Sequence, residues 1–453
     1  MAVIITAELK ATDKIANLTM TEEMEFPFLA VNLRAILYGQ FNIAFKSTMK
    51  KIKLLKSILS FVLLFLLTGS ACSQYAAAIT GAQRVSEYLP LLKHKTVAVV
   101  ANHTSLIGGV HLVDSLQSLG VNVAKVFAPE HGFRGDAANG EKIDNSKDPK
   151  TGLKIISLYG KNYKPAAEDL ADVDVVIFDI QDVGTRFYTY LSTLHYVMQA
   201  CAENGKKLIV LDRPNPNGYF IDGPVLKPGY ESMVGLHPIP IVHGMTLGEL
   251  ALMINGEHWI KTSRKCALTV IKMQRWDHNT IVFPTVPPSP NLQSDASIVL
   301  YPTLCLLEGT EVSMGRGTNH PFECFGAPWL KAGSYTFVPK NIPGKAMNPH
   351  FLNDTCHGFY LKEFAESYLT GYNQLYLEWI ELLYQNCPDT TRFFNDFFDK
   401  LAGTNSLRLE LQKRTPLAEI RKSWKDDLDA FEIKRKPYLL YPHYPGEAPV
   451  KSR

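Results

Sequence analysis

The residues best suited to chemistry fall in four short polar stretches, each placed directly behind an apolar run. These are Ala101-Asn102-His103-Thr104, Pro129-Glu130-His131-Gly132, Asp179-Ile180-Gln181-Asp182-Val183-Gly184-Thr185-Arg186 and Asp212-Arg213-Pro214-Asn215-Pro216-Asn217-Gly218. Glu130 is the first candidate for proton transfer. Pro129 fixes its entry geometry, Gly132 and Gly135 permit tight turns after it, and a carboxyl held on such a rim is partly desolvated. Desolvation favours the neutral acid, the form that protonates a leaving oxygen in glycoside hydrolysis. The structural alternative is that Glu130 pairs with Arg134 or caps the following helix.

Asp179 and Asp182 are candidates for a second carboxylate that activates water or stabilises an oxocarbenium-like transition state, with Arg186 as a cation for an anionic sugar substituent. Capping of the next helix is the competing role for Asp182. Further along, Glu308-Gly309-Thr310-Glu311 precedes Gly315-Arg316-Gly317-Thr318, so that a carboxylate and a guanidinium lie between glycines that let backbone approach a ligand. Glu308 is a candidate hydroxyl acceptor or catalytic partner, and Arg316 a candidate bidentate binder of a carboxylate; a turn bearing surface charges reads the same way. Asn102, His103, His131 and Asn215 complete the polar set as candidate substrate contacts. His103, Glu130 and His131 meeting at strand ends would resemble a metal site, but no ligand spacing supports one, and no metal or cofactor is expected. Gly-x-Ser-x-Gly, Gly-x-Gly-x-x-Gly and Walker loops are absent. Phe187, Tyr188, Tyr190, Phe325 and Trp329 could stack on sugar, although most aromatics belong to cores.

Elements that position these groups follow from periodicity. Thr96–Val100, Asn122–Phe127, Ile155–Leu158, Val173–Asp179 and Lys207–Asp212 are short apolar runs alternating with helical stretches at Gly108–Leu119 and Thr193–Glu203. That alternation predicts an α/β fold with a doubly wound parallel sheet, whose ligands gather at the carboxyl ends of the strands. Residues 80–295 form this domain. Beyond Gly223 the chain reads as irregular and proline-rich, and residues 296–453 as a second, smaller α+β domain with helices near Phe359–Leu369 and Leu375–Gln385.

Bulk properties exclude several classes. With 453 residues, 46% hydrophobic and 20% charged, the chain is an ordinary globular protein, and 47 basic against 44 acidic residues give a net charge of +3 that calls for no nucleic-acid partner. Seven scattered cysteines without a CxxC pair argue against zinc modules and disulfide scaffolds. Met49, Lys50, Lys51 and Lys53 precede the apolar run Leu54–Leu67, so residues 49–72 read as a signal peptide. It ends either at Cys72, which would then carry lipid as the protein's one link to a membrane, or at an ordinary cut near Ala71 to Ala78. Both readings place the mature protein outside the cytoplasm, in the periplasm or anchored in the cell envelope. Residues 1–48 precede a complete export signal and are read as an extension from a start codon placed too early.

Several long motifs in one order are more specific than any tripeptide. Phe127–Gly135, Phe178–Tyr190, Asp212–Pro216, Pro287–Asn291, Glu308–Thr310 and Gly315–Thr318 together resemble the NamZ family of exo-β-N-acetylmuramidases over nearly the whole mature chain. The resemblance implies a Rossmann-like domain plus a smaller C-terminal domain with the site in the cleft. It also implies release of N-acetylmuramic acid from non-reducing ends of peptidoglycan fragments, cleaving the β-1,4 bond to N-acetylglucosamine, with Glu130 as leading catalytic residue. Muramic acid carries a lactyl carboxylate, for which Arg186 and Arg316 are candidates. Two other readings remain: an envelope lipoprotein that binds muropeptides without cleaving them, and a metal-dependent amidase or deacetylase.

Overall fold

A computed structural model describes residues 77–134, 146–369, 372–443 and 450–451. The extension 1–48, the signal peptide and Cys72 lie outside the described residues.

Seven strands build the main sheet: β1 Thr96–Ala101, β2 Asn122–Ala128, β3 Ser146–Lys147, β4 Lys154–Ser157, β5 Val175–Asp179, β6 Lys207–Leu211 and β7 Ala267–Ile271. Their spatial order is β3-β4-β2-β1-β5-β6-β7. All pairings are parallel except that of the short edge strand β3 with β4. Without β3 this is the Rossmann order, with its reversal between β1 and β5. The strands are nearly continuous apolar runs because both faces are covered: Val97, Val99, Val126 and Ile177 enter one core, Ala98, Val100, Phe127 and Phe178 the other.

Helices α1 (Leu112–Ser118), α2 (Tyr190–Glu203) and α3 (Leu247–Gly256) make crossovers after β1, β5 and β6. Helix α3 begins with a capping box in which Thr246 and Glu249 satisfy each other's backbone N–H groups. Strand β7 corrects the reading of irregular chain beyond Gly223. It is an edge strand with exposed Ala267 and Thr269, so its apolar run is interrupted.

The remainder starts with α4 (Asp295–Leu304), followed by the antiparallel strands β8 (Cys324–Ala327), β9 (Tyr335–Phe337) and β10 (Cys356–Tyr360) in the order β8-β10-β9. Strand β10 corrects the expected helix from Phe359, since helical turns begin only at Lys362. Helices α5 (Glu378–Asn386), α6 (Asp396–Ala402), α7 (Ser406–Gln412), α8 (Leu417–Ser423) and α9 (Lys425–Arg435) follow. One core cluster contains residues from both sides of position 296. The chain then returns to the sheet, where the Tyr441 hydroxyl donates to Asp212 at 2.6 Å and the Leu440 N–H to Glu249 at 2.8 Å. Six described cysteines are free thiols, five of them buried. No helix among the described residues is long and apolar enough to cross a membrane.

Candidate functional site

Strand β2 delivers Glu130 into a tight turn, Pro129–Gly132, closed by the Gly132 N–H on the Pro129 carbonyl at 3.0 Å. His131 takes φ +70° there, a left-handed conformation that a non-glycine residue adopts only when its surroundings enforce it. The turn buries Glu130 against the start of α2. Thr189, the residue before that helix, donates its hydroxyl to Glu130 Oε2 at 2.7 Å and makes no side-chain cap to the helix backbone. Its backbone is αR rather than in the extended conformation of a capping residue, and its hydroxyl is bonded to the carboxylate. Tyr159, following β4, lines the same cavity as Glu130; burial first, and then Glu130, push its phenol well above its ordinary range. Burial likewise raises Tyr188 and Tyr190. Arg134, the expected partner of Glu130, donates to Asp148 at 2.8 Å and to Asp114 at 3.3 Å.

Glu130 and His131 line a cavity of about 280 Å³ at the carboxyl ends of β2, β4 and β5. Its aromatic wall includes Tyr159, Phe187, Tyr188, Tyr190 and Tyr301; Glu308 and Arg316 line it as well. Arg316 Nε donates to Glu308 Oε1 at 2.8 Å, and its guanidinium lies 4.9 Å from the centroid of the Phe322 ring. Burial works against the charge on Arg316, but Glu308 overrides it and keeps the group firmly cationic. Gly315 and Gly317, at φ +81° and +79°, hold the backbone on either side of this arginine in turns open to glycine. Among the lining residues Glu130 and Glu308 are the carboxylates.

The other sequence candidates have different surroundings. Asp179 is fully buried in a two-pronged ion pair with Arg213, at 2.6 and 2.9 Å. Asp182 accepts from the Gly184 N–H at 2.7 Å, and burial raises its carboxyl to about 7. It holds the loop rather than the start of α2. Arg186 donates to the carbonyls of Pro224, Ile239 and Leu401, each at 2.8 Å, and burial lowers its guanidinium to about 9. It is therefore a cross-brace behind the cavity wall, not a cation facing ligand. Asn215 bridges the Asn217 N–H and the Met245 carbonyl at 2.9 Å each. Asn102 accepts from Thr104, and His103 meets the Pro287 carbonyl at 2.8 Å. None of these six residues lines the Glu130 cavity.

Thr104, Gln181, Arg213 and Phe283 line a separate cavity of about 420 Å³ at the point where the strand order reverses. Of the aromatic candidates, Phe187, Tyr188 and Tyr190 line the Glu130 cavity, while Phe325 and Trp329 do not. Sequence reading missed Thr189, Tyr159 and Tyr301. Thr189 lies inside the quoted Phe187–Tyr190 motif, which was the available signal; Tyr159 follows a four-residue strand with no motif around it. Among the described residues no group of three or more His, Cys, Asp or Glu side chains is arranged to hold a metal ion.

Sheet order and cavity together define a Rossmann-like α/β protein with a polar, aromatic-walled pocket at the strand ends. Residues 97–296 match the family model described as exo-beta-N-acetylmuramidase NamZ, N-terminal, and residues 299–441 match its C-terminal counterpart. The chain belongs to the NamZ family. It is 40% identical over 379 residues to the peptidoglycan beta-N-acetylmuramidase NamZ of Bacillus subtilis strain 168, spanning 78% of this chain and 89% of that relative. Two solved DUF1343 family proteins of Bacteroides fragilis NCTC 9343 share the fold. One is 45% identical with TM-score 0.76, covering 82% of this chain and 100% of its own. The other is 31% identical with TM-score 0.66, covering 81% and 99%.

Proposed function

We infer that the protein is an exo-acting glycoside hydrolase that cleaves the β-1,4 bond between N-acetylmuramic acid and N-acetylglucosamine, releasing the former from non-reducing ends of peptidoglycan fragments. Membership of the family and similarity to the Bacillus subtilis muramidase support the reaction. The observation that carries it on this chain is Glu130, buried at the wall of a sugar-sized cavity and hydrogen-bonded there by the Thr189 hydroxyl. In this reading Glu130 donates its proton to the glycosidic oxygen as the bond to the anomeric carbon breaks, and water supplies the hydroxyl of the released sugar. The Thr189 hydroxyl holds the carboxyl in one orientation, so less reorganisation is needed when charge develops. Arg316 is assigned to the lactyl carboxylate. Glu308 holds Arg316 through one oxygen, which leaves the far edge of the planar guanidinium for a substrate anion.

We further propose that the mature chain works outside the cytoplasm, carried there by the segment 49–72, with Cys72 as a lipid attachment point. The basic start, apolar run and small residues before Cys72 support this, as does the location of the substrate.

Incubating the mature chain, from Gln74 onward, with the disaccharide and separating products by mass spectrometry tests the reaction beside Glu130→Gln. Both free sugars should appear with the wild type alone. Intact disaccharide across pH values, with binding retained, would make the protein a muropeptide binder instead.

A further inference from the structure

Helix α2, helix α3 and the edge strand β7 meet at two buried thiols. Cys201 lies in the last turn of α2, and its carbonyl accepts the Lys206 N–H at 2.8 Å. Strand β6 pairs with β7 in the register Lys207↔Ala267, so Cys266, the residue before Ala267, stands opposite Lys206 at the open end of the ladder. The two cysteines are thus neighbours of one residue, across strands that lie about 4.8 Å apart. Alternation along β7 puts Cys266 on the face of Leu268 and Val270, which pack against the core cluster that holds Cys201 and Val197 of α2. Cys266 belongs to that cluster as well. From α3, the Asn255 side chain accepts the Cys266 N–H at 2.9 Å and donates to its carbonyl at 3.0 Å, which fixes the Cys266 backbone at the junction. The Cys266 thiol first, and burial second, hold the Cys201 thiol well above its ordinary range.

The other described cysteines are placed differently. Cys324 and Cys356 sit on adjacent strands, but the register Cys324↔Tyr360 separates them by four ladder steps. That is about 13 Å along the strands, beyond the roughly 7 Å between Cα atoms that a disulfide spans. Cys305 lines the Glu130 cavity, and Cys387 turns to the Asp389 carbonyl at 3.4 Å. A bond between Cys201 and Cys266 would also act where it stabilises most. It closes a loop of about 65 residues, and long loops lose the most freedom in the unfolded chain. Strand β7 is the last strand of the sheet and pairs on one side only, so the bond would anchor an edge. Exposed Lys261, Ser263, Arg264 and Lys265 lead into Cys266, and local opening of that segment gives an oxidant a short way in.

We propose that Cys201 and Cys266 are a modification site: in the exported protein they close a disulfide that ties β7 to α2. The oxidant is a second disulfide, that of a thiol–disulfide oxidoreductase or of glutathione. One cysteine attacks it as a thiolate, and the other displaces the mixed disulfide so formed. The new S–S bond forms as the oxidant's bond breaks; two electrons pass to the oxidant, and the two protons lost by the cysteines end on its two thiols. Export supplies the oxidising setting, whereas the juxtaposition of the thiols does not depend on it.

Refolding the reduced mature chain, from Gln74 onward, in a buffer of reduced and oxidised glutathione tests the geometry apart from the compartment. Free thiols are then blocked with iodoacetamide in denaturant, and the protein is digested without reductant. Mass spectrometry should find the Cys201 and Cys266 peptides linked and the other four cysteines alkylated. Adding dithiothreitol to the linked protein should lower its thermal midpoint by about 5 °C, and the midpoint of Cys201→Ala should not respond to dithiothreitol. Recovery of Cys201 and Cys266 as alkylated thiols from the folded protein, or linkage of either to another cysteine, would overturn the proposal. A linked form that melts below the reduced one would overturn it as well, since the bond would then distort the junction.

Discussion

Two carboxylates at strand ends of the same sheet, Asp179 and Glu130, have different surroundings. At the reversal between β1 and β5, where Rossmann-like sheets usually bind ligands, the charged groups satisfy one another: Asp179 is clamped by Arg213, and Asp182 folds onto its own loop. At the end of β2, Glu130 lines a cavity and accepts from the Thr189 hydroxyl. A carboxylate clamped by a guanidinium in the interior is committed to a structural ion pair, whereas one on a cavity wall that accepts from a hydroxyl is within reach of a ligand. Placement at a strand end therefore does not by itself mark a reactive group; access to a cavity is what separates these two carboxylates.

The contrast is broken most directly by neutralising one carboxylate in each place. Glu130→Gln keeps size and hydrogen bonding but removes the transferable proton. Its kcat on the disaccharide should fall by about 10²–10⁴-fold, with an unchanged unfolding midpoint. Asp179→Ala should do the reverse. Removing it strands the buried Arg213 charge, and stability should drop by about 3–5 kcal/mol in denaturant unfolding, while the folded fraction retains turnover. If Asp179→Ala leaves stability intact and abolishes turnover, the reversal point is the reactive site and the comparison is inverted.

Legibility in the sequence followed the same division. Strands buried on both faces, such as Val97–Ala101 and Val175–Phe178, are uninterrupted apolar runs and were readable. Strand β7 was not, because solvent on its outer edge mixes polar residues into the run. The rim turn that carries Glu130 could be found from its neighbours, since Pro129 before it and Gly132 after it define the turn. Arg186 could not be assigned that way. Its three carbonyl partners come from positions 224, 239 and 401, so only tertiary structure distinguishes a buried brace from a ligand cation. Arg316 announced its backbone needs through its flanking glycines, yet nothing in the letters revealed that the same glycines admit the segment 345–350.

A subtler test uses pH. Burial raises the Asp182 carboxyl to about 7, above the value near 4 of an unfolded aspartate. Between those two values the folded chain holds a proton that the unfolded chain has released, so this group's contribution to stability falls as pH rises from about 4 to about 7. Asp182→Asn keeps an acceptor for the Gly184 N–H and has no charge to bury. Relative to wild type it should gain stability across that window, on the order of 1–3 kcal/mol by pH 7, and little at pH 4. A constant difference between the two proteins at all pH values would mean that Asp182 is ionised throughout and braced like Asp179.

The smallest expected effect bears most closely on how Glu130 is held. Thr189 precedes α2 with an αR backbone that forms no side-chain cap, and its hydroxyl goes to Glu130. Thr189→Val preserves shape and removes the hydrogen bond. Since no cap is lost, the unfolding midpoint should hardly move. Loss of one donor on the carboxyl should lower kcat by roughly tenfold, about the worth of one hydrogen bond to a charged group. Thr189→Ser restores the hydroxyl and should recover most of the rate, which a purely structural threonine would not require. A Thr189→Val enzyme with full turnover would show that this hydrogen bond does not orient Glu130, and the same kinetics on Tyr159→Phe would then test the phenol that lines the same cavity.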